Sequence, residues 1–101
     1  MNVVVYATDL MDRSKIQAAV PAATFAREPS AAAGADVVIV DLTRFGDAVT
    51  EIRAQAPNAR IVAFGPHVDD ALLAGASDAG ADAVLARSQF FRDPAAAVGA
   101  G

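Results

Sequence analysis

At 101 residues the chain has room for one domain, residues 1–101, and its lack of cysteine excludes disulfides and thiolate metal sites. A formal net charge of −4 with a single lysine, Lys15, argues against a nucleic-acid surface, which works by setting clustered cations against phosphates. No apolar run approaches the roughly 20 residues that cross a bilayer, so no membrane role is expected.

The hydrophobic share is 54%, about half of it alanine, so the core must come from short clusters of Val, Ile, Leu and Phe. The first cluster, Val3 to Tyr6, opens directly after Met1 with no basic leader, which together with the missing cysteines suits a cytoplasmic protein. It is continuous and β-branched, the signature of a strand buried on both faces of a parallel sheet. A helix is predicted from Leu10 to Ala19, ending before Pro21, with Leu10 and Met11 on its packed face. The stretch from Pro21 to Ala35 fits only a compressed β-α unit: a short edge strand at residues 22–26 around Phe25, then little more than one helical turn between Pro29 and Gly34. Val37 to Val40 is the next buried strand. A helix over residues 47–56 sets Ala48, Val49, Ile52 and Ala56 on one face and turns Glu51, Arg53 and Gln55 away, stopping at Pro57-Asn58. Ile61 to Phe64 forms another strand. A helix capped by Asp69 or Asp70 then carries Leu72, Leu73, Ala76 and Ala79 to a stop at Gly80. The weaker run Ala83 to Ala86 completes five strands, and Asp93-Pro94 opens a short last helix. The Gly-Ala-Gly tail at 99–101 is expected to fray. Strands alternating with helices imply a parallel sheet with right-handed crossovers.

Three segments in this order, ADVVIVDL at 35–42, NARIVAFG at 58–65 and AGADAVLARS at 79–88, give the chain its family likeness. It resembles the receiver domain of response regulators, and the match covers nearly the whole length. The resemblance implies a flavodoxin-like α/β/α fold with a five-stranded parallel sheet in the order 2-1-3-4-5, here with its second β-α unit shortened. It also implies that Asp41, closing the third strand, stands where receivers carry their phospho-accepting aspartate. Independently, functional groups in open parallel sheets gather beyond the carboxyl ends of the strands. Those ends present Thr8 and Asp9, Asp41 and Thr43, Gly65 and His67, and Arg87 and Ser88.

Phosphoryl transfer to an aspartate needs a hard cation held by carboxylates, a hydroxyl that follows the phosphoryl group, and a positive charge to neutralise it. By the resemblance, Ala7 and Thr8 occupy the place of the acidic pair, with Asp9 one step later and Asp12 in the following helix. Mg²⁺ therefore has only Asp9 and Asp41, and at a stretch Asp12, to bind it. Gly65 takes the place of the switch hydroxyl. Arg87 takes the place of the lysine and Ser88 that of the proline after it; a planar guanidinium keeps the charge but not the compact geometry. Plainer roles remain open for the same residues. Asp41 can be a cap or turn former, or can pair with Arg87 across adjacent strand ends. His67, the only histidine, can be a solvated loop residue. Phe90 and Phe91 can anchor the last helix, although one of two adjacent rings must point elsewhere.

The loop YATDLMDRSK at 6–15 has no glycine, which argues against flavin or dinucleotide phosphates, and no histidine, which argues against cobalamin. A lone histidine with no nucleophile elbow excludes a hydrolase triad. The sequence thus predicts a non-enzymatic pseudo-receiver: a signalling or regulatory domain that works without aspartyl phosphorylation and without a bound cofactor. It would act on a protein partner or a second copy through its last helix and strand, around Leu72, Leu73, Phe90 and Phe91. The alternatives are a single-domain response regulator phosphorylated on Asp41 with Mg²⁺, and a small anion-binding module built on Thr8, Asp9, Gly65, His67 and Arg87. Nothing in the 101 residues reads as an output domain, so an effector would be another protein.

Overall fold

The runs of Val, Ile and Phe that dominate the apolar composition pair with one another in a computed structural model that describes residues 1–99; Ala100 and Gly101, the end of the tail expected to fray, lie outside the described residues. The strands are β1 (Val3–Tyr6), β2 (Ala23–Phe25), β3 (Val37–Asp41), β4 (Arg60–Gly65) and β5 (Ala83–Ala86). They form one parallel sheet in the order β2-β1-β3-β4-β5. In register, Val5 lies beside Ile39 and Ile39 beside Val62, while Asp41 lies beside Phe64.

Alternate residues of each strand serve opposite layers, as the two-residue period of a strand requires. Val4, Tyr6, Val38, Val40, Ile61 and Ala63 face one core with Val49 and Ile52, whereas Val3, Val5, Ile39, Val62 and Phe64 face another with Ile16 and Phe90. The first layer holds α2 (Leu42–Phe45), α3 (Val49–Gln55) and α4 (Asp70–Asp78). The second holds α1 (Leu10–Ala19), α5 (Arg87–Arg92) and α6 (Pro94–Ala97).

Several local outcomes differ from the sequence reading. Leu10 and Met11 are not on the packed face of α1: they are 77% and 66% exposed, and the helix buries only Asp12 and Ile16. Ile16 is thus the single large apolar anchor of that helix. The helix expected over 47–56 is observed as α3, preceded by a 3₁₀ turn at Gly46–Ala48, and a short helix not expected from the sequence, α2, comes before both. Arg53 does not turn to water; its guanidinium folds back onto the chain ends beside it. A helix that the sequence reading omitted, α5, begins directly after β5. The compressed second unit is as expected, with the three-residue β2 followed by a 3₁₀ turn at Pro29–Ala32. The Tyr6 hydroxyl ties that turn down, donating to the Glu28 carbonyl at 2.8 Å, and burial raises its pKa so that it stays a donor. Asp69 caps α4 through the Leu72 N–H, and Gly80, at φ +118°, turns the chain from α4 into β5.

No helix among the described residues is long and apolar enough to cross a membrane.

Candidate functional site

Each side chain at the carboxyl end of the sheet is placed by a simple local rule. Asp9 is the N-cap of α1, its Oδ1 accepting the Asp12 N–H at 2.9 Å. That cap sets the helix so that Asp12, three residues on, points into the protein. Asp41 closes β3 and caps α2 at once, its Oδ1 accepting the Thr43 N–H at 3.1 Å. Arg87 is the first residue of α5, immediately after β5. Its helix lacks a side-chain cap at Ala86, and Gln89 compensates by reaching back with Oε1 to the Ala86 N–H at 3.1 Å.

These elements converge on an open cleft of about 500 Å³ lined by Asp9, Asp12, Asp41, Thr43 and Arg87, together with Met11, Lys15 and Arg44. Arg87 does not pair with Asp41, the partner weighed from sequence. Its Nη2 donates to Asp12 Oδ1 at 2.7 Å, and the Asp12 side chain is 5% exposed. The guanidinium also lies over two rings, 5.3 Å from the centre of Phe64 and 5.1 Å from that of Phe91. Phe64 in turn stacks on the fully buried Phe90 at 4.7 Å. Of the two adjacent phenylalanines, then, Phe90 is the core anchor and Phe91 carries the cations. Lys15 Nζ sits 5.5 Å from the Phe91 centre. Arginine suits this place because a planar cation can hydrogen-bond in its plane and stack on its faces at the same time. The hydrogen bond that Arg87 donates to Asp12 is the main cause that raises the pKa of Arg87 further.

Asp41 is 4% exposed. Burial pushes its carboxyl above the ordinary aspartate range, an effect that the Thr43 N–H and the charges of Arg87 and Arg44 oppose and that of Asp12 reinforces.

The resemblance to receivers implies a divalent cation here, and the acids of this cleft are not grouped to hold one. A hard cation needs several oxygens free to converge on it. Asp12 Oδ1 is taken by Arg87, and Asp9 Oδ1 and Asp41 Oδ1 accept backbone N–H groups. Among the described residues no three His, Cys, Asp or Glu side chains are grouped to hold a metal. The fixed cation at this place is a guanidinium.

Other predicted site residues fall outside the cleft. Gly65 is buried, and a Cβ there would stand 3.3 Å from Leu73 Cδ2 and 3.5 Å from Leu42 Cβ. The position to which the resemblance assigns a switch hydroxyl is therefore flanked by leucine. His67 and Ser88 are exposed and do not line the cleft, and Thr8 opens toward β2 instead. Lys15, Arg44 and Met11 were missed. Helical spacing from Asp12 could have found Lys15, and the α2 cap at Asp41 could have found Arg44.

A five-stranded parallel sheet ordered 2-1-3-4-5 is the flavodoxin-like arrangement that the receiver domains of response regulators adopt. The solved structures similar to it bear this out. A response regulator from Burkholderia pseudomallei, solved with a phosphorylated aspartic acid, superposes with a TM-score of 0.81 at 19% identity, over 96% of this chain and 65% of that one. This chain therefore spans slightly less than two thirds of the Burkholderia protein. A response regulator from Thermotoga maritima gives 0.74 at 16% identity, covering 97% of each chain. A CheY-like protein (tadZ) from Pseudomonas aeruginosa gives 0.71 at 18% identity over 87% of each. At such identities the likeness is one of fold. No protein-family model matches the chain, and no curated protein matches its sequence.

Proposed function

We propose that the chain is a pseudo-receiver: a cytoplasmic signalling or regulatory domain that works through protein contacts and does not depend on phosphorylation of Asp41. The observation that carries this reading is the Arg87–Asp12 bridge at 2.7 Å, a protein-supplied cation bonded to a buried acid where phosphoryl transfer calls for a metal. Gly65, closed in by Leu42 and Leu73, supports it from the other side of the cleft. The contact surface is α4, β5 and α5. All four residues of β5 are only half-buried, as are Leu72, Leu73 and Phe91, so this flank of the sheet is incompletely covered by the chain itself. Phe90, fully buried, is removed from that surface. The partner is another protein or a second copy of this chain.

A second reading, phosphorylation of Asp41, draws on the three cations Lys15, Arg44 and Arg87 that line the same cleft. One experiment separates the two. Amide shifts of labelled protein titrated with beryllofluoride and Mg²⁺ are expected to stay unchanged at Asp41 and Arg87. Saturable shifts centred on Asp41, abolished in Asp41→Asn, would establish the phospho-acceptor instead.

A further inference from the structure

On the far side of β1 from the Asp41 cleft, the open β2 edge of the sheet meets α1 in a second and smaller feature. Ala7, Thr8, Arg13, Phe25, Ala26 and Arg27 line a recess of about 60 Å³. Its two guanidiniums come from separate elements, Arg13 from the second turn of α1 and Arg27 from the chain just past β2. Arg13 is held in place, its guanidinium carbon 4.7 Å from the centre of the Phe25 ring.

Neither arginine belongs to an ion pair among the described residues, whose bridges are Arg53–Asp82 and Arg87–Asp12. Scarcity of acids is not the reason, because the chain has 12 Asp and Glu against 8 Lys and Arg. The acids next to them in sequence do not neutralise them: Asp12 pairs with Arg87, and Glu28 forms no bridge with its neighbour Arg27. An anion entering the recess would meet two arginines with no carboxylate partner of their own. Guanidinium forks match the oxygens of a phosphate or carboxylate in pairs, and Thr8, a hydroxyl-bearing residue, lines the same recess.

The recess runs into a wider cleft of about 450 Å³ that shares Arg13 and Phe25 and continues along Ser14, Gln17 and Ala18. This wider feature is a shallow groove open to solvent, a surface along which the rest of a ligand can lie rather than an enclosed pocket. We propose that this edge of the sheet binds a small phosphorylated molecule. Arg13, Arg27 and Thr8 grip the phosphate, and the remainder of the ligand lies along Ser14 and Gln17. The site shares no side chain with the Asp41 cleft, so it stands or falls independently of the pseudo-receiver reading.

The test is an amide-shift titration of the full chain at constant ionic strength, with adenosine monophosphate in one arm and inorganic phosphate in the other. Saturable shifts at Thr8, Arg13 and residues 25–27 are expected, with the nucleotide binding about tenfold tighter than inorganic phosphate. Arg27→Gln, at an exposed position where folding is not at stake, should weaken binding about tenfold, the loss of one charge-assisted fork. Arg13→Lys keeps a cation over Phe25 and should weaken it comparably, with an unchanged unfolding midpoint. Failure of both ligands to saturate, or Arg27→Gln binding within twofold of the parent, would overturn the site. Equal affinity for the two ligands would overturn the role given to the wider cleft.

Discussion

Arg53 and Arg87 sit at opposite ends of the same sheet and show two ways of keeping a guanidinium out of bulk water. At the amino ends of β4 and β5, Arg53 spends all its donors on the chain. It bonds the carbonyls of Ala56, Pro57, Ala59 and Gly80, at distances between 2.8 and 3.2 Å, and reaches Asp82 Oδ2 at 2.7 Å. At the carboxyl ends, Arg87 has one carboxylate and two ring faces, and its side chain remains 40% exposed. The first is consumed by architecture. The second retains donors that can be redirected, which is what a site at the functional end of a parallel sheet requires.

The contrast can be broken most sharply at Arg53. Arg53→Ala should destabilise by about 2–3 kcal/mol in urea unfolding, since it strands several carbonyls and the Asp82 carboxylate together. Gly80→Ala strikes the same knot from the backbone. Its φ of +118° disfavours any side chain, and a Cβ would lie 3.0 Å from Arg53 Cγ, so a loss of about 1–2 kcal/mol is expected by the same measurement. At the other end Asp12→Asn should cost less, about 1 kcal/mol, because Arg87 is exposed enough to be rehydrated. The informative readout there is the Asp41 carboxyl resonance, which should titrate at lower pH once Arg87 is free to turn to it and the Asp12 charge is gone.

The smallest effect has the opposite sign. Because burial raises the pKa of Asp41 in the folded protein, its charged form is a cost at neutral pH that is relieved as pH falls through that raised value. Asp41→Asn should therefore raise Tm at pH 7 by about 2–4 °C, equivalent to roughly 0.5 kcal/mol in a domain of this size. The difference should fade as pH approaches the ordinary aspartate value of 3.8. Asp82 behaves the other way. The Ile61 N–H and then Arg53 lower its pKa, so its contribution is present above 3.8 and is lost as pH falls through the lowered value. Acid thus loosens one end of the sheet while relaxing the other.

Much of the fold was legible because Val37 to Val40 and Ile61 to Phe64 leave no alternative to doubly buried strands, and because Asp69 and Gly80 bracket α4 with local chemistry. Helix α5 was missed because nothing at Ala86 announces a cap; its signal was Gln89, three residues inside the helix. Leu10 and Met11 were placed inside because hydrophobicity was read without the cap at Asp9, which fixes the rotation of α1 so that Asp12 faces inward. For the site, the positions of Asp41 and Arg87 at strand ends were readable. Their pairing was not: Arg87 meets a residue 75 positions away on another element, a choice made by tertiary packing.

The shortened second unit has a consequence for crowding. An open parallel sheet exposes two rows of unpaired backbone groups, and such rows recruit strands from neighbouring molecules. Here β2 offers only three residues, bounded by Pro21 on one side and by Arg27, Glu28 and Pro29 on the other, while β5 offers four between Asp82 and Arg87. Neither border is long enough, or sufficiently free of charge and proline, to template amyloid-like growth. The chain should therefore resist fibril formation at high concentration despite its 54% hydrophobic content.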